Sequence, residues 1–192
     1  MKMRTFTGTE PFLFHGDPVG IRLSDFWSWS SSDLLNNTLR GVLAEFIVAS
    51  ALGIDTSEAR EDWAAYDLVT NTGRKIEVKC SAYLQSWSQK KLSKITFSIR
   101  PARSWNSDDN YSAEIKRWSD LYVFCIYGCK DRRESPLQLD RWEFYVLSTA
   151  SLNKRCGIQK TIALSSLLSL SPVKVTYEQL RETVENLDLN GD

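Results

Sequence analysis

Leu121 to Tyr127 is apolar at every one of its positions. A strand with two apolar faces must be covered on both sides, so this segment belongs in the middle of a sheet, not at its edge. The rest of the chain must then supply neighbouring strands and two covering layers. Hydrophobic patterning supplies candidates for both. Leu35, Leu39, Val42, Leu43, Phe46 and Ile47 recur at helical spacing. Ser31 or Ser32 is placed to cap that helix, Asp33 suits its first turn, and Gly53 stops it. Ala64 to Thr70 and Lys75 to Ser81 read as strands joined by a turn at Asn71-Thr72-Gly73. Ile95 to Ile99 alternates as a third strand, and Asn110 to Trp118 is predicted as a short helix with Ile115 and Trp118 inward. Trp142 to Leu147 reads as a fifth strand. Helices are expected over Ile162 to Leu170, and from the capping-box pattern Thr176-x-x-Gln179 through Leu187. Residues 1–32 show no firm element and read as an irregular lead-in. The sum is an α/β fold with a central mixed sheet flanked by helices, in the order helix, strand, strand, strand, helix, strand. It is expected as a single domain over 1–192, with a core of about 33–127 and a C-terminal extension at 142–192.

At 192 residues and 42% hydrophobic content, such a chain can bury a core without disulfide staples. Cys80, Cys125, Cys129 and Cys156 form no CxxC pair, and the single His15 completes no zinc pattern. Cys80 and Cys125 sit within strands as small hydrophobes, which points to a reducing, cytoplasmic setting. No apolar run suits a signal peptide or a membrane span, so no membrane partner is expected. GxSxG, Walker, GxGxxG and HExxH patterns are absent, leaving serine hydrolase, P-loop, hydride-transfer and zincin chemistry unsupported. His15 reads as structural.

The chemistry concentrates in Asp67 and the strand Lys75 to Lys79. Strand alternation turns Ile76 and Val78 one way and Lys75, Glu77 and Lys79 the other. A three-residue loop at 71–73 pairs Thr70 with Arg74 and sets Asp67 opposite Glu77; a four-residue loop shifts this by one residue and demands a bulge. Two carboxylates that close repel unless a proton or cation lies between them. Oxygen-only ligands favour a hard ion, and a partly filled shell is how Mg²⁺ usually binds, with Mn²⁺ able to substitute. Lys79 beside that ion can hold an attacking water or stabilise the charge of a phosphodiester transition state. Glu45, just off the apolar arc of the first helix, can complete the cluster.

These residues resemble the PD-(D/E)XK motif of the restriction-endonuclease-like nucleases. Asp67 and then Glu77-Val78-Lys79 after a turn carry the likeness, and Arg40-Gly41-x-x-x-Glu45 looks like the additional helical glutamate motif of that superfamily. Tyr66 stands where the motif has proline. The resemblance covers residues 33–127 and implies a restriction-endonuclease-like core. It further implies a Mg²⁺-dependent DNA endonuclease with Asp67, Glu77 and the Val78 carbonyl as metal ligands, Lys79 assisting the nucleophile, and Glu45 supporting the metal or its water. Gln85 lies where some members place a supporting polar residue. The rival reading is a nuclease fold kept as a nucleic-acid-binding or scaffolding module without turnover; the intact cluster argues against it. RNA fits the same chemistry. A homodimer would supply the two sites that cutting both strands most simply needs.

The formal net charge is zero, from 24 basic and 24 acidic residues, which excludes a polybasic coat or an acidic tail. The distribution is uneven. Residues 74–103 hold eight basic residues against Glu77 alone. Lys75, Lys90, Lys91, Lys94, Arg100 and Arg103 are therefore the expected phosphate contacts, because cations gain affinity there by releasing counterions. Trp63, Trp118 and Trp142 read as core or core edge. Trp87 and Trp105, near basic residues, are candidates for base stacking.

Overall fold

A computed structural model describes residues 5–60, 64–106 and 110–190. Its centre is a five-stranded sheet built from β3 (Leu68–Val69), β4 (Lys75–Ala82), β8 (Leu121–Tyr127), β9 (Trp142–Ser148) and β11 (Val173–Val175). Their order across the sheet is β11-β9-β8-β4-β3. β4 and β8 run parallel, whereas β3 with β4, β8 with β9 and β9 with β11 run antiparallel. The sheet is therefore mixed, as the early hairpin requires. All seven residues of β8 are buried.

Each face has its own layer. Val78, Val123, Phe144 and Val146 point to the face covered by α2 (Asn37–Leu52) and α5 (Leu180–Asn186). Tyr122, Phe124, Ile126 and Leu147 point to the other. That second face is covered by β5 (Thr96–Ser98), α3 (Thr149–Cys156), β10 (Thr161–Ala163) and α4 (Leu164–Leu168). Two strands of the sheet and a core helix thus come from residues 142–187, a segment expected to lie outside the core.

The element order departs from helix, three strands, helix, strand in two places. Ile95 to Ile99 does form a strand, but it joins β10 in a separate two-stranded sheet. It lies over the sheet face, with the Phe97 ring edge-on to Phe124 at 5.0 Å. Alternation cannot distinguish a strand beside a sheet from one stacked on it. The helix expected at Asn110 to Trp118 does not form. That region holds the paired strands β6 (Trp105–Asn106) and β7 (Asn110–Tyr111) and a bridge between Ala102 and Lys116. Ile115, expected inward, is 61% exposed. Without a buried stripe, the cost of nucleating a helix is not offset.

Other boundaries shift. Asn36, not Ser31 or Ser32, caps α2, accepting from the Thr38 and Leu39 N–H groups. The strand predicted over 64–70 is ordered as a ladder only at Leu68–Val69. Residues 162–170 divide into the end of β10 and α4. At the last helix the Thr176 N–H does reach the Gln179 side chain at 3.0 Å, but regular helix starts at Leu180. The N-terminal lead-in is ordered as a hairpin of β1 (Pro11–Phe14) and β2 (Asp17–Arg22), followed by α1 (Leu23–Ser31). His15 and Gly16, both at positive φ, make its two-residue turn. Histidine is an unusual turn residue, so composition did not signal it. No helix among the described residues is long and apolar enough to cross a membrane.

Candidate active site

The site forms where β3 ends early. β3 pairs with β4 only at Val69 with Lys75 and Leu68 with Ile76. Gly73, at φ 88°, closes the intervening turn in a backbone conformation that side chains resist, and its N–H bonds the Thr70 carbonyl. Thr70 N–H in turn donates to the Arg74 carbonyl. This is the three-residue loop; its ladder ends at Leu68 opposite Ile76, and the Asp67 N–H donates to the Ile76 carbonyl at 3.0 Å. Beyond Ile76 no described strand of the sheet covers that edge of β4. The Asp67 carboxylate takes the place of a strand there, accepting the Val78 N–H at 2.7 Å. N–H and C=O of one strand residue leave along the same edge, so the Val78 carbonyl faces this side too.

Glu77 and Lys79 project together from β4 and meet at 2.6 Å, each about one quarter exposed. Burial raises the proton affinity of Glu77, the Lys79 ammonium opposes that, and the Asp67 charge adds to it. Burial alone would lower Lys79; the carboxylates of Glu77, Asp67 and Glu45 outweigh it and raise its pKa. Glu45 arrives from the middle of α2 and accepts a 3.0 Å ion pair from Arg60. Burial first, then the charge of Asp67, pushes Glu45 up to about 7, against the pull of Arg60 and Lys79. Tyr122, beside Glu77 on β8, is raised by burial and by the Glu77 charge. Glu45, Asp67 and Glu77 thus face two cations, Lys79 and Arg60, and carboxylates outnumber them.

Among the described residues no three His, Cys, Asp or Glu side chains converge tightly enough to cage a metal ion unaided. Asp67, Glu77 and the Val78 carbonyl are oxygen donors of the kind that could hold a hard cation keeping several waters. A cavity of about 400 Å³ is lined by Glu45 and Asp67 together with Val42, Phe46, Ile54 and Leu68, while Glu77 and Lys79 lie outside its lining.

The helix is locked to the end of β4 by a pair that pattern reading only half identified. Arg40 is buried, donating to the Leu35 carbonyl at 2.6 Å, to Asn37 Oδ1 at 2.6 Å and to Gln85 Oε1 at 3.5 Å. Gln85 is itself buried and donates to the Ala82 carbonyl. Arg40 had stood out only as part of the Glu45 motif, because arginine in a helix usually marks a solvated face.

Lys75, Lys90, Lys91, Lys94, Arg100 and Arg103 are all exposed. None of the six makes an ion pair with a described residue. Lys75 lies 5.4 Å over the Tyr66 ring at the start of β4. Lys90, Lys91 and Lys94 share the loop after β4 with Trp87, which is 55% exposed and whose carbonyl is held by Arg132. Trp142 is buried and Trp118 half-buried, as core and core-edge residues are. Trp63 and the Trp105 side chain lie outside the described residues.

Three carboxylates and one lysine thus act on one another's charge at a sheet edge, flanked in sequence by exposed cations. Residues 23–166, three quarters of the chain, match the family described as Bacteriophage T4 endonuclease IV. The chain belongs to that endonuclease family. The matched span includes Glu45, Asp67, Glu77, Lys79 and all six exposed cations. No curated protein and no solved structure matches the chain.

The raised Glu45 has a consequence for stability. Its folded pKa lies above the ordinary value of 4.5, so between about pH 4.5 and 7 the folded protein holds a proton that the unfolded chain has released. In metal-free buffer, stability therefore falls as pH rises through that window and is level above it. Glu45→Gln is expected to flatten the slope and to stabilise the protein at pH 8 by about 1–2 kcal/mol, after discounting for solvent screening. Urea denaturation of both proteins at pH 5 and pH 8 checks this; equal slopes would refute it.

Proposed function

We propose that the protein is a Mg²⁺-dependent endonuclease that hydrolyses DNA phosphodiester bonds at a PD-(D/E)XK-type site. The observation that carries this reading is the meeting of Asp67, Glu77 and Lys79 on one open edge of β4 in a chain of an endonuclease family. Asp67, Glu77 and the Val78 carbonyl would hold the metal. When bound, it supplies charge neutralisation at phosphorus and a lowered pKa for a coordinated water. Lys79, held by Glu77, is positioned to donate to a phosphate oxygen or to the attacking water. Glu45, which shares a cavity with Asp67 and feels its charge, would orient a water or receive its proton. The exposed cations at 75–103 would track the DNA backbone, and Trp87 offers a ring on which an unpaired base can stack.

Two measurements test the reading. Supercoiled plasmid, duplexes, branched junctions and RNA are incubated with the protein, with and without Mg²⁺ or Mn²⁺; metal-dependent cleavage of DNA is expected. Thermal melting then reads metal binding apart from turnover. A site with a Kd of about 1 mM should raise Tm by roughly 3–5 °C at about 10 mM metal. Asp67→Asn combined with Glu77→Gln should remove that shift. Metal-independent cleavage, or a shift that survives both substitutions, would overturn the assignment. Metal binding without cleavage of any substrate would favour the scaffolding role.

A further inference from the structure

Residues 5–31 fold mostly on themselves. Leu23 and Ser24 N–H groups bond the carbonyls of Glu10 and Gly8, tying α1 to the hairpin. Trp27 lies on Gly8, where a Cβ would meet its ring at 2.8 Å, so glycine is required. No residue of β1, β2 or α1 is buried. Phe12, Phe14, Phe26, Trp27 and Trp29 are 40–85% exposed, and Leu13, Val19 and Ile21 are at least half exposed.

We propose that this arm is a self-association surface, and that a second copy of the chain docks its own residues 5–31 against it. The area supports that occupant. A large aromatic side chain buries about 150–250 Å², so at these exposures the eight residues present on the order of 800 Å². Leu13 faces the side of β1 opposite Phe12 and Phe14, so the total is divided between two faces of the arm, and a copy that engages both meets the roughly 800 Å² per partner of a stable interface. A two-stranded hairpin is also marginal in water unless something packs on it, and α1 covers little of it. Charge argues against nucleic acid as the occupant. The arm carries Glu10, Asp17 and Asp25 against Arg22, with Lys2 and Arg4 just before it in sequence, so it has no net positive charge with which to hold phosphate. A surface that meets its own copy does so most simply about a two-fold axis, the commonest symmetry of soluble assemblies. The hairpin precedes the span matched by the endonuclease family, whereas α1 lies within it.

The test is sedimentation equilibrium of the full chain, with Leu13→Lys/Phe14→Glu/Trp29→Glu and the milder Trp29→Glu as variants. Wild type is expected at twice the 22.0 kDa chain mass when loaded at about 10 µM, which corresponds to micromolar or tighter pairing. The triple variant should weaken pairing by about 100-fold or more, and Trp29→Glu by about 10-fold. Far-UV circular dichroism and an unchanged melting midpoint of the core confirm that the variants fold. A wild type that stays monomeric at about 100 µM, or a triple variant that still dimerises, overturns the proposal. So does a loss of affinity for a labelled oligonucleotide with self-association unchanged, which would assign the arm to nucleic acid.

Discussion

Asp67→Asn, Glu77→Gln and Lys79→Ala should each reduce DNA cleavage by about 1,000-fold or more while leaving the sheet intact. The large effect follows from the site's composition. Each side chain has a different task at one phosphodiester, so none can stand in for another. Retained folding follows from the geometry. Asp67→Asn keeps an oxygen that can accept the Val78 N–H, the contact that replaces a strand at this edge. Glu77→Gln removes a buried charge whose neutralisation the fold already favours. Lys79→Ala is the harsher change, because it leaves Glu77 without its 2.6 Å partner; its melting midpoint must be measured beside its rate. Cleavage at the wild-type rate by folded Lys79→Ala would rule out the proposed mechanism.

The second large effect concerns stability. Arg117 is buried on the opposite layer, and its guanidinium joins the end of β5 to α3 and the residues just after it. Nε donates to the Ile99 carbonyl at 2.9 Å, and Nη1 to Asn153 Oδ1 at 2.7 Å and the Gly157 carbonyl at 2.8 Å. Nη2 donates to the Gln159 carbonyl at 3.2 Å. Arg117→Ala would strand these acceptors and open a cavity, at a cost of about 3–5 kcal/mol, or roughly a 10 °C drop in Tm. Arg117→Lys should recover little, since a point ammonium cannot span a fork of acceptors on three sides. A change below about 1 kcal/mol in urea denaturation would show that water replaces the guanidinium, and would defeat the prediction.

These two positions differ in how far they could be read from the chain. Asp67, Glu77 and Lys79 stood out because strand alternation and one Gly turn are local, and the pairing of Thr70 with Arg74 follows from counting across that turn. Arg117 had no such signal. Its partners lie 18 to 42 residues away, and a buried arginine looks like a solvated one in sequence. The same reasoning separates the covering layers. Nothing in the alternation of 95–99 distinguishes a sheet neighbour from a strand laid across the Phe124 face. Nor did His15-Gly16 announce a hairpin.

Local periodicity by itself determined that β8 is central, that β4 carries its charged residues on one face, and that the main helix ends at Gly53. These follow from interactions within a few residues, where the pattern of apolar side chains settles the conformation. Tertiary structure alone decided which strands share the sheet, that residues 142–187 complete its core, that Arg40 and Gln85 fasten the helix bearing Glu45 to β4, and that the apolar side chains of the N-terminal arm stay uncovered. Those outcomes depend on which distant surfaces bury one another, a competition between whole faces that no local spacing records.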